Sequence, residues 1–154
     1  MQTSLISQFA ALVAMLPLTA AAVSARLGRN LLLWLLLAAA LVGPAALVVS
    51  EIHAGWQAGL SPNLWASIAA TLVVFAVLCF VRPGAYRLSG LLLPYLVVSA
   101  AIAIAFSGAP NAEGPVVEEG LWFPVHVVLA VASFAVMTLA AIAGSAVMLQ
   151  ESAL

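Results

Sequence analysis

The feature that most constrains this sequence is a series of five apolar runs that contain no Asp, Glu, Lys or Arg. A hydrophobic stretch of about 20 residues crosses the roughly 30 Å hydrocarbon layer of a bilayer as an α-helix. The runs predict an all-α fold, a polytopic transmembrane helix bundle with about five membrane-spanning helices. They also predict that residues 1–154 form a single transmembrane domain. The predicted helices cover residues 4–25, 31–50, 64–81, 88–106 and 123–150.

The composition supports membrane insertion and excludes several other classes of protein. The chain is 66% apolar and 6% charged, whereas about a quarter of the residues in a soluble domain carry charge. A β-barrel would alternate apolar and polar residues, but residues 31–37 are apolar on every face. The net charge of -1 excludes nucleic acid as a partner, because no basic surface exists to neutralise phosphates. The expected environment is the lipid bilayer.

The first run could be either a membrane helix or a cleaved signal peptide. Residues 23–25 resemble a small-residue cleavage site, but residues 1–8 carry no positive side chain, whereas Arg26 and Arg29 follow the run. A secretory leader has the opposite polarity. We therefore favour a retained first helix over cleavage.

The arginines predict the orientation of the chain. Arg26 and Arg29 lie between the first two runs, and Arg82 and Arg87 lie between the third and fourth, while the other two connections contain no basic residue. Basic loops remain in the cytoplasm. We expect a multi-pass protein of the bacterial inner membrane with its N-terminus outside and its C-terminus in the cytoplasm.

Several residues within and beside the runs have structural interpretations. Prolines and glycines interrupt some runs, and small residues recur at four-residue spacing in the fifth, which permits close helix approach. Three tryptophans near the expected outer interface are interpreted as bilayer anchors. The packing residues are Pro17, Gly43, Pro44, Pro94, Ala140, Gly144, Ala141 and Ser145, and the tryptophans are Trp56, Trp65 and Trp122.

The sequence offers little that could carry out catalysis. It contains no glycine-rich phosphate loop, no serine elbow and no acid or base in the middle of a predicted helix. Ion-coupled transporters usually place ionisable groups at mid-depth, so a permease component is the weakest of the functions considered. The single cysteine, Cys79, rules out a disulfide or a thiolate cluster within the chain. We expect a protein that binds or transfers a ligand, and not an enzyme.

The remaining candidates for chemistry are the two histidines, His53 and His126. Imidazole in its neutral form is a common ligand of haem iron. His126 lies near the start of the fifth predicted helix, where the helix dipole disfavours the cation, so it is the better candidate. His53 follows the second predicted helix, where the dipole and Glu51 would favour the cation. The alternative for each is an interfacial histidine that hydrogen-bonds water, a loop carbonyl or a lipid headgroup.

Short motifs around both histidines resemble those of a known family. The segment Trp122-Phe123-Pro124-Val125-His126, followed by a small-residue helix that ends in residues 148–151, is similar to the cytochrome c assembly family. It most resembles the CcsA/HemX-like (YpjD-like) inner-membrane branch. His53, followed by residues 59–64, resembles an earlier histidine of that branch and the loop after it.

The resemblance implies haem binding or delivery at the outer face of the membrane, in the context of cytochrome c-type biogenesis. It implies that His126 is the haem-iron ligand and that His53 is a second cofactor-binding candidate, with haem and other cytochrome c assembly membrane proteins as partners. The alternative from a different class is a cofactor-free accessory or regulatory subunit, of the HemX-like kind that is associated with haem synthesis.

The chain also departs from the family in several respects, among them the absence of the partner outer histidine and of the later helices. The tryptophan-rich, Asp-containing signature is absent, and the chain has no Asp at all. We interpret the sequence as the N-terminal part of a longer protein, with a shortened paralogue as the alternative.

Overall fold

The computed structural model describes residues 5–24, 31–54, 59–107 and 122–152. Within these ranges there are five α-helices and no strand, and all five helices are long and apolar enough to cross a membrane. The predicted all-α bundle is therefore confirmed. The helices are α1 (Leu5–Val23), α2 (Leu31–Ala54), α3 (Leu60–Val81), α4 (Ser89–Ala105) and α5 (Trp122–Glu151), and a 3-10 turn, Ala85–Leu88, precedes α4.

The helix boundaries differ from the predicted ones mainly around the connection between α2 and α3. The second helix continues past Ser50 to Ala54, so that Glu51 and His53 lie in its last turn. The third helix begins at Leu60 and not at residue 64. Pro62 is compatible with this early start, because a proline in the first helical turn has no backbone hydrogen bond to lose.

The first four helices form a ring in which each contacts its two neighbours. α1 packs against α2 and α4, and α3 packs against the same two helices. α5 lies outside this ring, because it packs mainly on α3 and makes only a minor contact with α4. The fold is thus a four-helix ring with a fifth helix on its outside.

The ring is closely packed, as the prolines and glycines of the sequence predicted. A Cβ atom added to Gly43 of α2 would lie 2.7 Å from both Cα and Cβ of Ala11 in α1. Pro44, the next residue, is fully buried. Small residues let helix backbones approach closely in membranes, so this glycine determines the spacing between α1 and α2.

Buried hydroxyl groups are satisfied within their own helices. The Thr71 hydroxyl donates a 2.7 Å hydrogen bond to the Ser67 carbonyl, and the Ser99 hydroxyl donates a 3.0 Å bond to the Tyr95 carbonyl. Such bonds to the carbonyl four residues earlier need no partner on another helix. These two hydroxyl groups therefore fit between apolar helices without a hydrogen bond to another helix.

The interpretation of the tryptophans as anchors is wrong for Trp65 and stays a prediction for Trp122. Trp122 is 79% exposed at the start of α5, whereas Trp65 is 2% exposed and belongs to the core. Trp65 is buried because it shares a helix face with Ile68, Leu72 and Phe75, at three- and four-residue spacing along α3. Its indole nitrogen has no hydrogen-bond partner among the described residues. Trp56 lies outside the described residues.

Candidate functional site

Both histidines lie at the same end of the bundle. His53 is in the last turn of α2, and the five residues 55–59 that link α2 to α3 are too few to cross the bundle. All five helices are long and apolar enough to cross a membrane, and successive membrane-spanning helices run in alternating directions. With all five helices across the bilayer, α3 and α5 run in the same direction, and His126 lies at the end where α2 finishes.

The described arginines lie at the other end. Arg82 follows the last residue of α3, and Arg87 is in the 3-10 turn before α4. The structure thus separates these guanidinium groups from the imidazoles by the length of the helices. Arg26 and Arg29 lie outside the described residues.

The structure does not bring the two histidines together into one site. α2 and α5 both pack on α3, and they do not pack on each other. Both imidazoles are exposed. Each histidine is therefore a separate candidate for binding a ligand at the same end of the bundle.

Glu51 and His53 lie on different sides of the last turns of α2. Residues two positions apart on a helix do not face each other. Glu51 is partly buried, on the side of α2 that carries buried Leu47 and Pro44, whereas His53 is exposed on another side. The expected influence of Glu51 on His53 stays a prediction.

His126 lies near the start of α5. α5 begins at Trp122, so His126 is its fifth residue.

The two sides of α5 differ in their surroundings. One side contacts the ring and contains buried Ala135 and Leu139, with Ile142 packed against the same core. The opposite side is exposed along the whole helix, and we call it the open stripe. Its residues follow one another at three- and four-residue steps, and they are His126, Ala130, Ser133, Met137, Ala140, Gly144, Met148 and Glu151.

The surroundings of His126 are apolar and exposed. Trp122, Val125 and Leu129 lie within one turn of it along α5, and all three are exposed. The exposed imidazole therefore lies beside an exposed apolar surface of the same helix.

A small crevice between α3, α4 and α5 is lined by Ser67, Thr71, Tyr95, Ser99 and Phe134, among others, and by neither histidine. The described residues contain no cluster of three or more His, Cys, Asp or Glu.

Comparisons with known proteins identify one relative. The chain is 38% identical over 130 residues to a protein of Azospirillum brasilense, described as an uncharacterized 28.8 kDa protein in the nifR3-like 5' region. The match covers 82% of this chain and 47% of the relative, so the chain spans about half the length of the relative that it matches. No family model and no solved structure matches the chain.

Proposed function

We propose that this chain is a haem-handling membrane protein of the cytochrome c assembly type, in which His126 provides an axial ligand to haem iron at the outer face of the inner membrane. The observation that carries the proposal is the position of His126. Its imidazole is exposed on a membrane-spanning helix, at the end of the bundle opposite Arg82 and Arg87, and it belongs to the segment that resembles the family.

The proposed orientation follows from the positions of the charges. If the turn that carries Arg82 and Arg87 faces the cytoplasm, as basic connections do, both histidines lie on the outer side. The N-terminus of α1 is then outside and the end of α5 is inside. This is the side on which cytochrome c assembly proteins of the resembled family handle haem.

The residues around His126 suit this role. When bound, haem supplies an iron atom that accepts a neutral imidazole nitrogen as a ligand. The chain contributes the imidazole of His126 and the exposed apolar side chains of Trp122, Val125 and Leu129. His53, on α2, contributes no side chain to this surface, so we assign it no role as a ligand of the same haem.

The test is the haem content of two matched variants of the purified protein. The chain is expressed in its native host with ample haem, and haem is quantified by absorbance in alkaline pyridine. We expect His126→Ala to lose most of the bound haem, because the iron loses its ligand. His53→Ala is the control, since it removes the other exposed imidazole at the same end of the bundle, and we expect it to retain most of the haem.

Two results would contradict the proposal. One is equal haem content and an unchanged Soret band in His126→Ala, which would remove the ligand assignment. The other is an absence of haem from the wild-type protein, which would favour the cofactor-free accessory subunit. A His126→Met variant separates the ligand from the fold, because a thioether also binds haem iron and should shift the spectrum.

A further inference from the structure

Two polar atoms inside the four-helix ring have no hydrogen-bond partner among the described residues. They are the carboxamide oxygen Oε1 of Gln8 in α1 and the indole nitrogen Nε1 of Trp65 in α3. The two side chains are 4% and 2% exposed. A buried donor or acceptor without a partner is costly, so each such atom in a native structure calls for an explanation, of which a bound water is one. The buried hydroxyls of Thr71 and Ser99, by contrast, bond within their own helices.

Gln8 and Trp65 lie at the same end of the ring. Gln8 is the fourth residue of α1, and Trp65 is the sixth residue of α3. With all helices across the bilayer, α1 and α3 run in the same direction, because α2 is the one membrane-spanning helix between them in the chain. At a rise of 1.5 Å per residue, Gln8 and Trp65 are roughly 5 and 8 Å from the first residues of their helices. Both are therefore near the end of the bundle where α2 finishes.

The two side chains also face the same core. Gln8 continues the buried side of α1, on which buried residues recur at three- and four-residue spacing. Those other residues belong, with Trp65, to one core cluster, and they are Ala11, Met15, Leu18 and Ala22. α1 and α3 each pack on α2 and α4, so they stand at opposite corners of the ring with the core between them. The oxygen and the nitrogen therefore face one region of the core from opposite sides.

The core side chains of α4 are smaller at this end of the ring. α4 runs opposite to α1 and α3, so its C-terminal half is at the end where Gln8 and Trp65 lie. The buried apolar residues of that half are Ala100 and Ala103, whereas the other half buries Leu92, Leu93 and Leu96. A buried water needs both polar partners and room. Alanine takes up less of the core than leucine, so α4 favours a small occupant at this end and not at the other.

We propose that the ring holds a water molecule between Gln8 and Trp65. The indole nitrogen can only donate and the carboxamide oxygen can only accept, so the occupant accepts one hydrogen bond and donates another. Water does both in the smallest volume. A metal cation cannot accept from Trp65, and a carbonyl group cannot donate to Gln8. This inference goes beyond the proposed haem function and does not depend on it.

The test is a water contact at the indole proton of Trp65. The purified protein, with isotope-labelled tryptophan, is reconstituted in phospholipid nanodiscs, and rotating-frame NMR cross-relaxation from the indole protons is recorded. The signal of Trp65 is identified by its loss in Trp65→Phe. We expect this proton to show a cross-relaxation peak at the water frequency, with the sign that distinguishes a bound water from proton exchange.

Matched variants test whether the water depends on Gln8. Gln8→Met keeps the length of the side chain and removes the acceptor, so we expect the water peak of Trp65 to be lost and its indole proton to shift upfield. Gln8→Glu keeps an oxygen in the same place and should retain the peak. Gln150→Met makes the same change at an exposed glutamine of α5 and should leave the Trp65 signal unchanged. The signals of the other indoles report whether each variant is folded.

Three results would overturn the proposal. Absence of the water peak from the wild-type protein would show that no water is bound at the indole nitrogen of Trp65. A peak to lipid or protein protons in its place would show that another group satisfies this donor. A water peak that persists in folded Gln8→Met would show that Gln8 takes no part in holding the water.

The measurement on the wild-type protein decides whether the water is present, so the proposal stays falsifiable even if Gln8→Met does not fold. Gln8→Leu, which also removes the acceptor, then serves as the second variant. No histidine is changed in these experiments and no haem is measured. Failure of this proposal is therefore distinguishable from failure of the proposed function.

Discussion

The helices of the four-helix ring and α5 are similarly apolar, but they differ in how much of their surface is in contact with other helices. α3, within the ring, contacts three other helices and buries Trp65, Leu72 and Phe75 almost completely. Among the side chains of α5 that the structure describes, Ala135 and Leu139 are the ones buried to a similar extent. The comparison shows that apolar character places a helix in the membrane but does not determine what it contacts there. That second property depends on the size and polarity of the side chains on each face.

The largest expected difference between the two regions comes from truncating a phenylalanine in each. Phe75 is fully buried in the ring, whereas Phe134 of α5 is 47% exposed. Phe75→Ala should lower the free energy of unfolding by about 3–5 kcal/mol, because a cavity remains in a closely packed core. Phe134→Ala should cost about 1 kcal/mol, as only part of the ring is in contact with protein. Unfolding of the purified protein in mixed detergent micelles, followed by circular dichroism, measures both. Equal losses would mean that α5 is as well packed as the ring.

Substituting a glycine in each region should give a smaller difference in the free energy of unfolding, with effects of opposite sign for Gly43 and Gly144. Gly43→Ala places a methyl group 2.7 Å from Ala11, and overpacking of this kind costs about 1–3 kcal/mol. Gly144→Ala meets no neighbour within 4 Å and replaces a poor helix former, so it should stabilise the chain by roughly 0.5–1 kcal/mol. The same unfolding measurement applies. A destabilising Gly144→Ala in the isolated chain would show that the open stripe is already occupied.

The smallest effects are expected from two threonines. Thr71 in the ring and Thr138 in α5 each donate a hydrogen bond to the carbonyl four residues earlier, at 2.7 Å and 2.9 Å. Replacing either by Val should change the free energy of unfolding by roughly 0.5 kcal/mol, the lower end for a net intramolecular hydrogen bond, because each hydroxyl bonds only to a carbonyl of its own helix. Thr71 also lines the crevice between α3, α4 and α5. A much larger loss of unfolding free energy for Thr71→Val alone would indicate that its hydroxyl forms a hydrogen bond to a molecule held in that crevice.

Much of the fold could be predicted from the sequence because the bilayer imposes a length on each helix. The apolar runs identified all five helices, and most errors at their ends occurred where helices continue into the polar interface. The second run appeared to end at Ser50, yet α2 continues to Ala54. Hydropathy falls there because Glu51 and His53 are polar, but the backbone hydrogen bonds of the helix continue beyond the apolar segment.

Less of the candidate site could be predicted. The sequence indicated that His53 and His126 share one end of the bundle, which the parallel arrangement of α3 and α5 supports. It could not indicate that α3 separates their helices, because contacts between distant helices leave no trace in the spacing of residues. The same applies to Trp65, whose indole resembles an interfacial anchor until the three-dimensional neighbours of its helix face are known. The open stripe was missed, although the signal was present in the regular three- and four-residue recurrence of polar and small residues from His126 to Glu151.

The way in which α5 satisfies its own hydroxyl groups has a mechanical consequence. Thr138 and Ser145 each donate to a carbonyl of α5 itself, so these bonds survive any change in how the helix is seated on α3. A change in the tilt or rotation of α5 on α3 would therefore leave these two bonds intact, and it would change the direction in which the imidazole of His126 projects.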